Sequence, residues 1–115
     1  MNALRNKVQL IGRLGQDPKI ITFEEGKSKV NFSVATNESY RDNEGDKVER
    51  TQWHEIVAWG PLSQIMGQYL KKGSEVAIEG RLHYRTYDDK EGNTRYVTEI
   101  VAKDLLMLDK KPAEV

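Results

Sequence analysis

The segment TQWHEIVAWG, residues 51–60, carries both tryptophans of the chain, Trp53 and Trp59. Side chains alternate faces along a β-strand, so a spacing of six puts both indoles on one face, with Glu55 and Val57 between them. Further on, AIEGRLHYRTY sets Ala77, Glu79, Arg81, His83, Arg85 and Tyr87 on one face of a strand. Tyr40 and Arg41 follow another alternating run. Rings interleaved with guanidinium groups suit single-stranded nucleic acid, because unpaired bases stack on rings and cations follow the phosphates. The same residues admit a plainer reading. Large rings dominate protein cores, an exposed basic run is often only a solvated face, and half-buried strands contain residues such as Tyr40, Tyr87 and Tyr96. Type and spacing leave both readings open.

Catalysis finds no support. The chain has two histidines, His54 and His83, and no cysteine. His54 and Glu55 are neighbours and face opposite ways on a strand, so they do not form a base and its orienting partner. No serine sits in a nucleophile-elbow context. Without thiolates, a zinc site needs carboxylates at spacings not seen here. Asp42, Glu44 and Asp46 alternate as a calcium loop does, as do Asp88 and Glu91 around Gly92. Neither stretch continues with the ligand ladder and closing glutamate of an EF-hand, and both read as hairpin turns. GRLGQDP lacks the glycine spacing of a phosphate cradle. No catalytic residue, metal site or cofactor is expected.

A set of strands must position the rings. The chain has 115 residues, enough for one domain with one core. Hydrophobic residues make up 37% and charged residues 31%, with a formal net charge of zero. Neutrality lacks the positive excess common in nucleic-acid-binding domains, but the distribution of charge matters more than its sum. No apolar run nears the roughly 20 residues that span a bilayer. MNALRNKVQL has no secretion pattern, so a cytoplasmic location and no membrane partner are expected.

NKVQLIGRLG sets Val8, Leu10, Gly12 and Leu14 against Lys7, Gln9, Ile11 and Arg13. Gly15 to Pro18 marks a turn. KVNFSVATN turns Val30, Phe32 and Val34 inward and Lys29, Asn31, Ser33 and Asn37 outward. After the polar loop RDNEGDK, a third strand runs from Val48 to Ala58. The period then changes. Leu62, Ile65, Met66, Tyr69 and Leu70 recur at three and four, which predicts a helix of about ten residues. Pro61 suits its first position and Gly73 its stop, with Lys71 and Lys72 near the negative end of the dipole. A fourth strand, SEVAIEGRLHYRTY, groups Val76, Ile78, Gly80, Leu82 and Tyr84 on one face. The turn DDKEGN leads to a fifth, TRYVTEIVAKDLLML, apolar on both sides near Ile100 and Val101, so its faces stay unassigned. KKPAEV reads as a frayed end. Three strands, a helix and two strands follow the order of an all-β OB-fold. This is a five-stranded, Greek-key, partly open barrel with one short helix between strands 3 and 4, and it binds oligonucleotides or oligosaccharides across strands 2 and 3. One domain is expected over residues 1–109 and a flexible end over 110–115.

Five segments in order, NKVQLIGRLGQDP, VNFSVATNESYRD, TQWHEIVAWG, YLKKGSEVAIEGRL and TRYVTEIVA, resemble the bacterial single-stranded-DNA-binding proteins of the replicative type, over residues 6–102. The resemblance implies an OB-fold assembled as a homotetramer, with single-stranded DNA wrapped around it in replication, recombination and repair near the nucleoid. It implies stacking rings at Tyr40, where the family commonly has tryptophan, and at Trp53. It implies two more at Trp59, often phenylalanine, and at Tyr87, often tryptophan in the loop between strands 4 and 5. Lys7, Lys72 and Arg85 match the family's basic positions, and Arg13, Arg41 and Arg81 are added to them as phosphate contacts. His54 matches a histidine of the family's subunit contacts and is assigned to the oligomer interface. Acidic residues are expected at the loop tips RDNEGDKVE and DDKEG, away from the strand faces, which accounts for the neutral total. Family members typically continue into a Gly- and Pro-rich linker and an acidic tip that recruits replication and repair proteins. At that point this sequence has KKPAEV, so the resemblance leaves replication and repair proteins open as partners and their recruitment through such a tip unassigned. The second reading is an OB-fold adaptor of a primosome-like assembly, its rings acting as interface hot spots. An oligosaccharide-binding barrel is the third.

Overall fold

The computed structural model describes residues 3–109; the end expected to be flexible, 110–115, lies outside the described residues. The alternating runs become strands β1 (Val8–Leu14), β2 (Lys19–Thr22), β3 (Ser28–Arg41), β4 (Lys47–Trp59), β5 (Glu75–Asp88) and β6 (Thr94–Met107), with α1 (Pro61–Tyr69) between β4 and β5. β2 was not expected. It is four residues long, mostly exposed, and pairs only with the start of β3.

The other five strands form the OB barrel, and it is closed. Around it, β1 pairs with β5, β5 with β6, β6 with β4, β4 with β3, and β3 again with β1. Two seams are narrow. β1 meets β3 at Arg13–Ala35 and Leu14–Val34, and β4 meets β6, in parallel, at Ile56–Ile100 and Val57–Val101. Glycine permits the closest approaches. A Cβ on Gly12 would overlap the carbonyl oxygen of Ala35, and one on Gly80 that of Val101, where the β5–β6 register shifts at a bulge.

The expected inward residues fill the barrel: Val30, Phe32 and Val34 on β3, Val76 and Ile78 on β5, with Ile56 and Ala58 from β4. Ile100 and Ala102 settle the inward face of β6. The helix differs from its expected apolar face. Its buried line is Ser63, Met66 and the following Leu70, while Ile65 and Tyr69 are exposed. Ser63 can occupy a core position because its Oγ pairs with Ser28 Oγ at 2.6 Å and donates to the Gly60 carbonyl at 2.5 Å. Gly60, before Pro61, has φ 67° and ψ −144°, a region open in practice only to glycine. The helix ends at Tyr69 with Leu70 extended. Gly73, at φ 88°, serves the turn into β5 instead of stopping the helix.

Two hairpins outrun the barrel. β3 and β4 stay paired from Lys29–Trp59 to Arg41–Lys47, and β5 and β6 from Val76–Met107 to Asp88–Thr94. Their tips share one design. Asp42 Oδ1 accepts the amides of Glu44 and Asp46, and Asp89 Oδ1 those of Glu91 and Asn93, all at 2.9 Å. Gly45 and Gly92 supply the left-handed residue of each turn, at φ 83° and 82°.

Candidate nucleic-acid interface

Trp53 and Trp59 share the outward pleat of β4, opposite Ala35 and Lys29 of β3. They are 62% and 53% exposed, so neither indole is core. Val57, between them on the same face, is buried. At Trp59 the ring of Phe23 stacks nearly parallel, centroids 6.0 Å apart and planes 16° from each other, and Lys29 Nζ lies 5.2 Å from the indole centroid. Trp53 lies over Gly15: a Cβ there would overlap Cζ3 and stand 2.9 Å from Cη2. The missing side chain of Gly15 is the space that the indole uses.

The other two rings sit elsewhere. Tyr40 is in the pleat set of Phe32 and Val34, the opposite face of the ribbon from the tryptophans. It is 45% exposed because β3 has by then left the barrel. The Arg50 guanidinium lies 5.6 Å from its ring centroid, and Arg50 Nη2 donates to its hydroxyl at 3.3 Å. Tyr87 is inside β5, not in the loop after it. It is 47% exposed, with the Arg85 guanidinium 5.9 Å from its ring centroid. Three of the four expected stacking rings therefore carry a cation against the face, which keeps each ring oriented and brings positive charge beside it.

The cations are less free than the sequence suggests. Lys7 pairs with Glu79 at 3.3 Å. Arg13 donates to the Gly73 carbonyl at 2.9 Å and lies 3.7 Å from both Glu75 and Asp109, tying the start of β5 to the chain beyond β6. Arg41 donates to the Gly45 carbonyl at its own hairpin tip. The Lys72 backbone N–H donates to Asp17 Oδ1, holding the GQDP turn against the α1–β5 turn while its side chain stays exposed. Arg85 Nε and His83 Nδ1 converge on the half-buried carboxylate of Glu99, at 3.3 and 3.2 Å. Arg81 is exposed and has no ion pair among the described residues. The expectation that acid stays at the loop tips is thus corrected. Glu79 and Glu99 lie on the strand faces, each diagonal to the cation it pairs with, Lys7 and Arg85. His54 faces the barrel side of β4, half-buried, its Nε2 2.9 Å from Thr36 Oγ1.

Residues 5–108 match the model of the single-strand binding protein family. The chain belongs to that family. It is 54% identical over 107 residues to single-stranded DNA-binding protein 1 of Chlorobaculum tepidum, covering 92% of this chain and 66% of that protein. It is 50% identical to single-stranded DNA-binding protein 1 of Xylella fastidiosa, covering 92% and 79%. The fold superposes with a TM-score of 0.82 on the Plasmodium falciparum SSB in complex with ssDNA, at 36% identity, covering 90% of this chain and 95% of that one. The chain spans slightly under two thirds of the Chlorobaculum protein's length.

Within this family member, alternation found the two tryptophans but missed their neighbours. Lys29 was legible as an outward residue, yet only the β3–β4 register sets it opposite Trp59. Phe23 lies in ITFEEGK, a stretch with no period. An aromatic just after the apolar pair Ile20–Ile21 was the only signal available. Arg50 reaches Tyr40 through a diagonal, two residues from Tyr40's own partner Val48.

Proposed function

We propose that this chain binds single-stranded DNA without sequence preference and protects exposed strands in replication, recombination and repair. One observation carries the reading: Trp53 and Trp59 lie six residues apart on one outward strand face, and both indoles are more than half exposed. Such rings accept unpaired bases of any sequence, at about 1–3 kcal/mol per stacked base. Tyr40, on the other face of the β3–β4 ribbon, and Tyr87, on β5, add rings along the two hairpins. Lys7, Arg13, Arg41, Lys72, Arg81 and Arg85 take phosphates, some by exchanging a glutamate for the DNA backbone. The role is binding, not turnover. The family also supports a homotetramer with His54 at a subunit contact, a wrapped strand, and a cytoplasmic location at the nucleoid. The adaptor reading has no observation of its own in its favour.

Titration with poly-dT tests the proposal. Tryptophan emission is expected to be quenched at low salt, with affinity falling as salt rises because each phosphate contact releases counterions. Unchanged emission together with no gel shift of dT oligomers of any length refutes it. Equal binding to duplex and single strand turns the argument toward the adaptor. Sedimentation checks the tetramer, and a monomer at micromolar concentration removes wrapping.

A further inference from the structure

We propose that Phe23 is a fifth base-stacking residue and Lys29 its phosphate partner, so that the end of the interface at Trp59 holds a nucleotide subsite of two rings and one ammonium group. The inference rests on the reading that the chain binds single-stranded DNA. Phe23 follows β2 and is not part of the core cluster. Its backbone is extended, at φ −101° and ψ 176°, and its N–H donates to the Lys27 carbonyl at 2.7 Å. The backbone is thus pinned while the ring stays 44% exposed, nearly parallel to the Trp59 indole. Two parallel rings in an open step offer more flat area than either alone, and base stacking needs flat area more than any particular hydrogen bond.

Lys29 supplies the charge. It is the cross-strand partner of Trp59, and its Nζ hovers 5.2 Å from the indole centroid. An ammonium group prefers a phosphate to a ring face, since a full anion outweighs a quadrupole, and the flexible stem lets it move from one to the other. Lys27, two residues before Lys29, is exposed. Between Phe23 and Lys27, Glu24 and Glu25 are exposed, with Glu25 at φ 64° in the turn. Like charge keeps phosphates off the tip of that turn, so the DNA backbone passes Lys29, beside Trp59, while the base lies against Phe23.

The test uses Phe23→Leu, Phe23→Tyr and Lys29→Gln in the full chain, with labelled dT oligomers read by anisotropy across a salt series. Phe23→Leu is expected to bind roughly five- to 150-fold more weakly, the range for one lost base stack, with an unchanged slope of log affinity on log salt. Phe23→Tyr keeps the ring and the affinity. Lys29→Gln flattens the slope by about 0.7, the single-strand value for one phosphate. Unaltered affinity in Phe23→Leu, or equal losses in Phe23→Leu and Phe23→Tyr, overturns the ring's role. An unaltered slope in Lys29→Gln overturns the lysine's. If the unsubstituted chain binds no dT at low salt, the proposed function fails first and takes the subsite with it.

Discussion

Gly15→Ala separates binding from folding. Gly15 is not at positive φ, so alanine fits its backbone. The added methyl meets the far rim of the Trp53 indole, overlapping Cζ3 and reaching Cη2 at 2.9 Å, with Ser33 Oγ at 3.2 Å. The indole is 62% exposed and can swing outward at little cost. Loss of glycine's unfolded-state freedom contributes about 0.4–1 kcal/mol in the stabilising direction, so net stability should change by less than about 1 kcal/mol. The displaced ring no longer lies where a base would meet it. Complete loss of one stack corresponds to about 1–3 kcal/mol, roughly five- to 150-fold, and a tilted ring should fall near the lower figure. Gly12→Ala is the contrast. Its methyl overlaps the Ala35 carbonyl oxygen and stands 2.8 Å from Cγ1 of fully buried Val34, at a seam that has no room to move. Overpacking there costs about 1–3 kcal/mol, which lowers Tm by at least about 4 °C. The assay is dT affinity by anisotropy beside thermal melting, with Trp53→Ala as the full-loss reference. Gly15→Ala binding dT at the original affinity, or melting as low as Gly12→Ala, refutes the reasoning.

Three further outcomes are expected. Glu99→Gln releases Arg85 and His83 from their shared carboxylate, and exposed pairs of this kind are worth up to about 1 kcal/mol, so dT affinity should rise by up to about fivefold with a steeper salt slope; weaker binding would mean that Glu99 aligns Arg85 instead of competing with DNA. The carboxyl of Asp89 is held below its ordinary value of 3.8, chiefly by the Asn93 amide and next by the Arg95 guanidinium. A lowered folded pKa means that the hairpin tip gains stability that is full above pH 3.8 and lost as pH falls through the depressed value, so the Asn93 amide shift should titrate with a midpoint under 3.8, and a midpoint at or above it would contradict the geometry. Ser63→Ala leaves buried Ser28 Oγ without its partner, which should cost about 1–3 kcal/mol in denaturant unfolding; Ser28→Ala added to it should recover part of that loss, and a purely additive pair would show that the two hydroxyls are not coupled.

Inward residues were legible wherever a strand lies within the barrel. Val30, Phe32, Val34, Val76 and Ile78 alternate because one face of each strand touches the core and the other water. β2 escaped because it is mostly exposed, leaving no apolar period to read. The helix was found by its period, but its buried line was misassigned. Ser63 takes a core position through two hydrogen bonds that hydrophobicity does not register, which shifts the buried line toward Ser63, Met66 and Leu70 and leaves Ile65 and Tyr69 outside.

The rings and charges of the interface depend on two quantities that alternation does not contain: where the barrel ends and which residues stand opposite. Alternation from Phe32 reaches Tyr40, and from Ile78 reaches Tyr84, so both belong to the core-facing set, and both are exposed because the hairpins continue after the barrel walls have parted. For these two tyrosines exposure is a property of strand length and not of side-chain parity. Opposition acts in the same way on charge. Glu99 faces His83 because the β5–β6 register runs unbroken from the hairpin turn, at Asp88–Thr94, to Gly80–Ala102; a register one residue off would put Thr98 or Ile100 there and take Glu99 away from His83 and Arg85. The pairing on the cationic face therefore depends on the turn DDKEGN, which begins five residues after His83. A one-residue deletion in that turn should change the salt dependence of DNA binding, read by anisotropy with dT oligomers, even though the turn holds none of the expected phosphate contacts.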